Sequence, residues 1–300
     1  MNSTQSKNTH IPVMVGEVLK SFQKVSSHAG DKYLVVVDTT LGSGGHTAAI
    51  MSTKVVANNK NRHSFELLDL DERAIDLLKD RVELAGLKVR FHKQNFRIQP
   101  SGLNYEPEKN YFILADLGLS QNQLDTGLGF SFKTDAPLDM RLDQQLAVTA
   151  ADLLKLLPVR QLTKIFGEYG QLSQAEDLAK LIVHRRNTGF YIATTAQLNE
   201  VLKSLKLGTP KHMAKAYQAL RIAVNSELDN LSQLLEWSQE FLTSGKSMLA
   251  VITFHSIEQS IVVRFCKSKG LKLGIIKPSA AEVISNPRSR SAILNLVTKN

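Results

Sequence analysis

A group of acidic residues and glycines follows the strand-forming run YLVVV, where residues 38–50 read DTTLGSGGHTAAI. The three glycines of this segment let the chain turn sharply and let a ligand approach the main chain. Asp69 comes 31 residues after Asp38, at the end of a second apolar run, where a carboxylate can accept hydrogen bonds from both hydroxyls of a ribose. Because ligands of open parallel sheets lie beyond the carboxyl ends of the strands, this spacing predicts a site for an adenosine-containing cofactor.

Two cofactors fit this geometry, NAD and S-adenosylmethionine. The dinucleotide fingerprint G-x-G-x-x-G places a pyrophosphate on a helix N-terminus, but Thr47 stands where the third glycine after Gly42 and Gly44 should be. Asp38 would repel a pyrophosphate, whereas it could attract the sulfonium or the amino group of S-adenosylmethionine. The segment therefore favours the methyl donor, with an NAD-dependent oxidoreductase as the alternative.

The elements that must position these residues alternate between strands and helices, which predicts an α/β fold with a doubly wound parallel sheet. The predicted strands are 32–38, 64–71, 88–96, 110–120, 247–254 and 291–298. From 136 to 211 the patterns are helical, so we expect a helical insertion there, with 1–135 and 212–300 forming the core domain. One long amphipathic helix is predicted over 215–242.

Composition limits the compartment and the partners. The N-terminus lacks the pattern of a signal or transit peptide, no apolar run is long enough to cross a membrane, and Cys266 is the single cysteine, so we expect a cytoplasmic protein without disulfides or a structural metal. The formal net charge is +9, and residues 261–300 hold eight Lys and Arg against one Glu. This excess favours a nucleic-acid partner and gives no indication of membrane binding.

A set of longer motifs makes the chain resemble one family. These are HIPVMVGEVL, TLGSGGHT, LDLDERAI, ADLGLSQNQLD, GFSFKTDAPLDMRLD, YQALRIAVNSEL, ITFHSIE and NPRSRSA, which run from His10 to about Ile293. In this order they resemble the bacterial 16S rRNA (cytosine-N4) methyltransferases, the RsmH or MraW family. The resemblance implies a Rossmann-like S-adenosylmethionine-dependent methyltransferase sheet, interrupted by a helical domain for substrate recognition.

The resemblance also implies roles for individual residues of the cofactor site. Gly44, Gly45 and His46 would face the methionine part of S-adenosylmethionine, Asp69 would bind the ribose, Phe96 would lie near the adenine, and Asp116 and Gln123 would complete the pocket beside the transferred methyl. The implied substrate is 16S rRNA, within the small ribosomal subunit or free, and the implied product is N4-methylcytidine in the decoding region. No pattern in the sequence specifies an oligomeric state.

The cytosine amino group is a poor nucleophile, because its lone pair is delocalised into the ring. A hydrogen-bond acceptor against N4 would localise that pair and accept the proton, and Asp116 is the candidate. The segment DLGLS lacks the Pro-Pro-aromatic run of many amino-methyltransferases, and positioning alone can supply much of the rate. Two alternatives stay open. One is a non-catalytic RNA-binding assembly factor with the same fold, and the other is an enzyme that acts on DNA or protein.

Some positions depart from the family pattern, and others have both a structural and a functional interpretation. The departures are Leu128, Gln171, Leu172 and Gln259, and they bear on RNA docking and substrate choice more than on the cofactor. His255 could cap a helix or act in catalysis, and DMRLD (139–143) could be an ion-pair network or a substrate contact. Arg221 and Asn225, four residues apart on one helix, could orient a loop or meet the RNA.

Overall fold

The computed structural model describes residues 11–29, 32–119, 127–242 and 246–299. The chain divides into two compact units. The sheet unit comprises Met1–Gly118 with Asn230–Asn300, and the helical unit comprises Leu119–Asp229. The predicted insertion, 136–211, lies inside the range of the helical unit, and its predicted role in substrate recognition stays a prediction.

One mixed sheet forms the centre of the sheet unit. Its strands are β1 Tyr33–Asp38, β2 His63–Asp69, β3 Lys88–Lys93, β4 Lys109–Asp116, β5 Met248–Thr253, β6 Lys272–Ile276 and β7 Ile293–Thr298. They lie in the order β3-β2-β1-β4-β5-β7-β6. The first five strands pair in parallel, and β7 is antiparallel to both of its neighbours. The strand order reverses between β1 and β4, which confirms the predicted doubly wound α/β sheet.

The sheet departs from the prediction at one edge and at several strand ends. The predicted parallel pairing does not extend to β7, and β6, a short strand whose side chains are largely exposed, was not predicted. The strands β2, β3 and β4 end two to four residues before their predicted ends. The polar residues after each strand leave the sheet and form loops, as where the Gln94 N–H donates to the Asp69 carbonyl at 3.1 Å.

Helices cover both faces of the sheet and make up much of the helical unit. They are α1 Val15–Ala29, α2 Gly45–Met51, α3 Lys54–Asn58, α4 Glu72–Ala85, α5 Ala150–Leu156, α6 Val159–Lys164, α7 Ala175–Asn187, α8 Thr195–Ser204, α9 Pro210–Asn225, α10 Glu227–Ser238, α11 Ser256–Lys269 and α12 Ala280–Ser285. Alternate strand residues point to opposite faces. Val36 and Phe112 therefore join the core under α1 with Phe22, while Val35 and Tyr111 join the core on the other face. Full burial of a side chain such as Phe22 contributes roughly 1.5–3 kcal/mol to folding.

Two helical segments are each divided in the structure. The segment after the glycines forms α2 and α3, because the Thr53 hydroxyl accepts from the Val56 N–H and starts a new helix. The predicted helix over 215–242 is wrong as a single element, since α9 ends at Asn225 and α10 begins at Glu227. Ser226 between them has φ 50°, in the left-handed region, and ends the helical hydrogen bonding.

The helical unit has an apolar core of its own. Buried residues from five of its helices meet there, including Leu154, Leu162, Leu178, Leu198 and Leu220. Because α9 contributes to this core, the unit extends beyond residue 211, where the sequence pattern ended the insertion. Among the residues that the structure describes, no helix combines the length and the apolar character needed to cross a bilayer.

Candidate cofactor-binding site

The glycine turn leaves the sheet at the end of β1 and leads into α2. Gly42 has φ 53° and Gly44 has φ 73°, conformations that favour glycine. A Cβ on Gly44 would lie 3.0 Å from Leu78 Cδ1, and one on Gly45 would lie 2.5 Å from Pro12 Cγ. The turn therefore requires glycine at Gly44 for its backbone conformation and at Gly45 for lack of space.

Asp38 holds this turn in place. Its carboxylate accepts the Thr40 N–H at 3.1 Å and the Thr47 hydroxyl at 2.5 Å, and only 3% of the residue is exposed. Burial raises the pKa of the Asp38 carboxyl above its ordinary value, and the Thr47 hydrogen bond opposes that shift. Both oxygens are engaged within the turn, so Asp38 supports the loop.

Asp69 connects the end of β2 to the same turn. Its two oxygens accept the N–H of Gly42 at 2.7 Å and the N–H of Asp71 at 2.9 Å. Burial raises the pKa of the Asp69 carboxyl, against the opposing hydrogen bonds from Asp71 and Gly42. A carboxylate has about four lone-pair positions, so Asp69 keeps acceptor capacity for a ligand while it fixes the turn.

His46 and Asp116 face each other where the strand order reverses. His46 Nε2 lies 3.5 Å from Asp116 Oδ2, and His46 is 7% exposed. Neither ring nitrogen of His46 and neither lone pair of the buried Asp116 Oδ1 has a hydrogen-bond partner within the described chain. The main chain of Asp116 is fixed, since its N–H donates to Thr40 Oγ1 at 2.7 Å. Buried polar atoms usually have partners, so this pair is arranged for a polar ligand.

These residues fit S-adenosylmethionine by their chemistry. Asp38, Asp69 and Asp116 bring three carboxyl groups to one edge of the sheet, which suits a cationic sulfonium and an amino group and opposes a pyrophosphate. The glycine turn brings bare main chain to the same edge. Within the described residues, no group of three or more His, Cys, Asp and Glu side chains could hold a metal ion.

The other two predicted cofactor residues differ in what the structure describes. Phe96 lies in the loop after β3, where its partly buried ring packs against a core cluster and its carbonyl accepts the Trp237 indole N–H at 3.0 Å. The structure thus brings the Phe96 loop close to the end of β2, where Gln94 bonds to Asp69. Gln123 lies outside the described residues.

The residues that follow β5 cap the next helix, α11. His255 is the N-cap of α11, and its ring nitrogen accepts the Glu258 N–H at 3.3 Å while the Glu258 carboxylate accepts the His255 N–H. His255 Nε2 lies 3.1 Å from Glu258 Oε1 at an angle that makes no hydrogen bond. Gln259, a departure from the family pattern, accepts the Thr253 hydroxyl at 2.9 Å, so its amide oxygen serves the strand end.

The predicted polar residues of the helical unit have structural partners. Arg141 forms a bidentate pair with Asp139 at 2.8 and 2.7 Å, and this pair lowers the pKa of the Asp139 carboxyl. Asn225 accepts the Leu142 N–H and donates to the Met140 carbonyl, both at 2.8 Å. Of the two readings, the structure supports the loop-orienting role for Asn225 and the ion-pair role for Asp139 and Arg141.

Three of the departures can be placed within the helical unit. Leu172 is buried in its core, where an acid would be costly, and Gln171 adopts φ 49° beside it. The main-chain carbonyl of Leu128 accepts the Met140 N–H at 2.8 Å. Sequence reasoning missed Thr40 and Thr47 as site residues, although both stand in DTTLGSGGHT, because hydroxyls in such a segment are ordinarily solvated.

Comparison with known proteins adds independent information. A model of the MraW methylase family matches residues 7–300. The Ribosomal RNA small subunit methyltransferase H of Cyanothece sp. is 36% identical over 97% of this chain and 94% of its own length. The protein of the same name from Desulfotalea psychrophila is 40% identical over 88% of this chain and 91% of its own length. Among solved structures, an rRNA methylase from Streptococcus thermophilus aligns over 93% of this chain at 11% identity with a TM-score of 0.36, a low similarity.

Proposed function

Because the chain belongs to the MraW methylase family, we propose that it transfers a methyl group from S-adenosylmethionine to N4 of a cytidine in 16S ribosomal RNA. The family match confirms the predicted family and the predicted enzyme class, a methyltransferase. RNA is the substrate class of this family. The decoding region as the target, the small ribosomal subunit as the context and the cytoplasm as the location are parts of the proposal.

One observation carries the proposal for the site. The unpartnered buried atoms of His46 and Asp116 lie beside a glycine turn that is fixed by two further carboxylates. Leaving such atoms without partners costs about 1–3 kcal/mol for each group, so a ligand that satisfies them binds with that advantage. Gly44, Gly45 and His46 would bind the methionine part, Asp69 the ribose and Phe96 the adenine side, with Gln123 as a further predicted contact.

The reaction needs an acceptor for the N4 proton. When bound, S-adenosylmethionine supplies an electrophilic methyl group on a sulfonium. Asp116 Oδ1 would accept a hydrogen bond from the cytosine amino group, which localises the nitrogen lone pair, and would then take the proton. Thr40 holds the main chain of Asp116, and His46 lies against its other oxygen, so the carboxylate keeps one orientation.

Competing functions have weaker support. The third glycine of the dinucleotide fingerprint is missing, and Asp38, buried below the turn, disfavours a pyrophosphate, so an NAD-dependent oxidoreductase is not favoured. A non-catalytic assembly factor would have no need for a buried Asp116 oxygen, Oδ1, without a hydrogen-bond partner in the described chain. Of the departures from the family pattern, Gln259 has a hydrogen-bond partner at the strand end and Leu172 is buried in the core of the helical unit. Both leave the Asp116 site intact.

Methylation of small subunits from a strain lacking this activity tests the proposal. The purified protein and tritiated S-adenosylmethionine are added, the 16S rRNA is digested, and the modified nucleoside is identified by mass spectrometry. We expect N4-methylcytidine at a single position in the decoding region. The appearance of 5-methylcytidine, or label in protein alone, would refute the reaction, and tight NADH binding without methyl transfer would favour the oxidoreductase.

A further inference from the structure

A short N-terminal segment lies directly against the glycine turn. We call Ile11–Met14 the strap. Pro12 Cγ lies 2.5 Å from the position that a Cβ on Gly45 would take, and Pro12 Cδ lies 3.3 Å from it. Real Cβ atoms do not tolerate the first distance, so the strap and the turn are packed without room for a side chain between them. The position of the strap therefore limits the positions open to the turn.

The strap is held by side chains from the other end of the chain. The Met14 N–H donates to Glu282 Oε1, across 268 residues of sequence. The Asn286 side-chain amide donates to the Ile11 carbonyl at 3.2 Å, across 275 residues. Glu282 lies in α12 and Asn286 directly follows it, where the Asn286 N–H donates to the Glu282 carbonyl. One short helix and the residue that follows it thus supply both polar anchors of the strap.

The strap needs such anchors because its own conformation is unfavourable. Met14 has φ 55°, a left-handed conformation that costs a residue with a Cβ roughly 1–2 kcal/mol. The side chain of Met14 is buried in the core, which fixes one end of the strap, but Ile11 at the other end is 56% exposed. Burial therefore does not hold Ile11, which the Asn286 hydrogen bond attaches, while the Glu282 hydrogen bond fixes the left-handed main chain at Met14.

We infer that Glu282 and Asn286 are positioning residues of the cofactor site. They hold the strap on Gly45 and so keep the glycine turn in the shape that the methionine part of the cofactor requires. This inference rests on the proposed function, because it takes the glycine turn as the place where that part binds. Neither residue touches the reacting atoms, so both act on binding and leave the methyl-transfer step itself unchanged.

Calorimetric titration with S-adenosylhomocysteine tests the inference on the full-length protein. Glu282→Ala removes the acceptor of the Met14 N–H and should raise Kd roughly tenfold, the effect of losing one charge-assisted hydrogen bond. Glu282→Gln keeps an acceptor oxygen and should stay within about threefold of wild type. At saturating cofactor, kcat of Glu282→Ala should stay within about twofold of wild type, a separation of binding from turnover that general destabilisation would not produce.

The matched control is Ile284→Ala, on the same helix, whose side chain is 81% exposed. It should leave Kd unchanged. Hydrogen exchange at the Met14 amide gives a direct reading of the anchor: it should become fast in Glu282→Ala while the amides of β1 stay protected. If wild type fails to bind S-adenosylhomocysteine, the proposed function fails. If wild type binds and Glu282→Ala binds equally well with a fast Met14 amide, the inference alone is overturned.

A second pair of variants tests the contact without depending on Glu282. Gly45→Ala should weaken S-adenosylhomocysteine binding, because the new Cβ would displace the ring of Pro12. Pro12→Ala removes Cγ and Cδ from that space, so the double variant should recover part of the lost affinity. Additive losses in the double variant would show that the strap does not determine the shape of the turn, which contradicts the inference.

Discussion

The hydrogen bonding of buried polar side chains differs between the two units of the chain. At the edge of the sheet unit, His46 Nε2 and Asp116 Oδ2 lie 3.5 Å apart, and both ring nitrogens of His46 and Asp116 Oδ1 are buried atoms without a hydrogen-bond partner in the described chain. In the described part of the helical unit, only Thr163 Oγ1 is a buried side-chain atom of that kind. There Arg141 pairs with Asp139, and both ends of the Asn225 amide are satisfied.

Two acids that hold the glycine turn and two acids of the helical unit have pKa shifts in opposite directions. Burial raises the pKa of Asp38 and Asp69 beside the glycine turn. In the helical unit, hydrogen bonds from Arg141 and from Thr149 lower the pKa of Asp139 and Asp152. Polar groups that satisfy one another form a scaffold, whereas buried groups without partners indicate a place for a ligand. The following predictions test this contrast.

The largest effect is expected at Asp116. Asp116→Asn removes the proton acceptor and should lower kcat by about 100-fold or more, since general-base catalysis contributes about 10²–10⁴. Binding of S-adenosylhomocysteine should change little, because Asn keeps an acceptor oxygen. Single-turnover methylation of small subunits with tritiated donor measures this rate, with the exposed Asp76→Asn as control. An unchanged rate would remove Asp116 from the mechanism.

A smaller loss is expected at Asp69. Asp69→Ala should weaken cofactor binding by roughly 1.5–3 kcal/mol, the contribution of hydrogen bonds to a charged group. Asp69→Asn, which can still accept one hydrogen bond, should lose less. Calorimetry with S-adenosylhomocysteine gives both values. Wild-type affinity in Asp69→Ala would contradict a ribose contact and leave Asp69 with a role only in holding the Gly42 N–H.

RNA affinity should respond to two exposed arginines of the basic C-terminal segment. Arg288→Ala combined with Arg290→Ala should reduce the slope of log K against log salt by roughly 1.4, or about 0.7 for each phosphate contact to single-stranded RNA. Filter binding at several salt concentrations measures the slope, and Lys20→Ala with Lys54→Ala, two exposed lysines outside the basic segment, is the matched control of equal charge change. An unchanged slope would show that the two arginines are structural.

The smallest effect is expected in the helical unit, as a dependence of stability on pH. Arg141 holds the pKa of Asp139 below its ordinary value of 3.8, so the pair stabilises the fold above that pH and loses its contribution as the pH falls through the lowered pKa. Asp139→Asn should lower Tm at pH 6 and have a smaller effect at pH 2. Asp38, with its raised pKa, has the opposite sign, since protonation favours its folded state. Equal losses of Tm for Asp139→Asn at both pH values would contradict the assignment.

Local patterns were sufficient to predict the parts of the fold that depend on nearby residues. The run before Asp38, the glycines after it and the acid at Asp116 identified two neighbouring strand ends and the edge where they meet. The same reasoning missed β6, which is an exposed edge strand, and the break at Ser226, where neither glycine nor proline marks the left-handed residue. These features depend on tertiary contacts that no local pattern carries.

The sequence predicted which residues form the candidate site better than it predicted the contacts between them. Asp69 was expected to meet a ribose, but its hydrogen bond to the Gly42 N–H could not be inferred, since that contact requires the loop geometry. The attachment of Ile11 to Asn286 joins residues 275 positions apart, and only the closed fold brings them together. Asn225 was left with two possible roles because its partners Leu142 and Met140 lie far from it in sequence.

The hydrogen bond from the Trp237 indole to the Phe96 carbonyl has a practical consequence. Trp237 is the single tryptophan of the chain, so all indole fluorescence of the protein comes from one ring attached to one loop. A change in the position of that loop would alter the polarity around the indole and shift the emission maximum. The protein therefore carries an intrinsic optical probe for events at the Phe96 loop, and stopped-flow mixing could follow them without any added label.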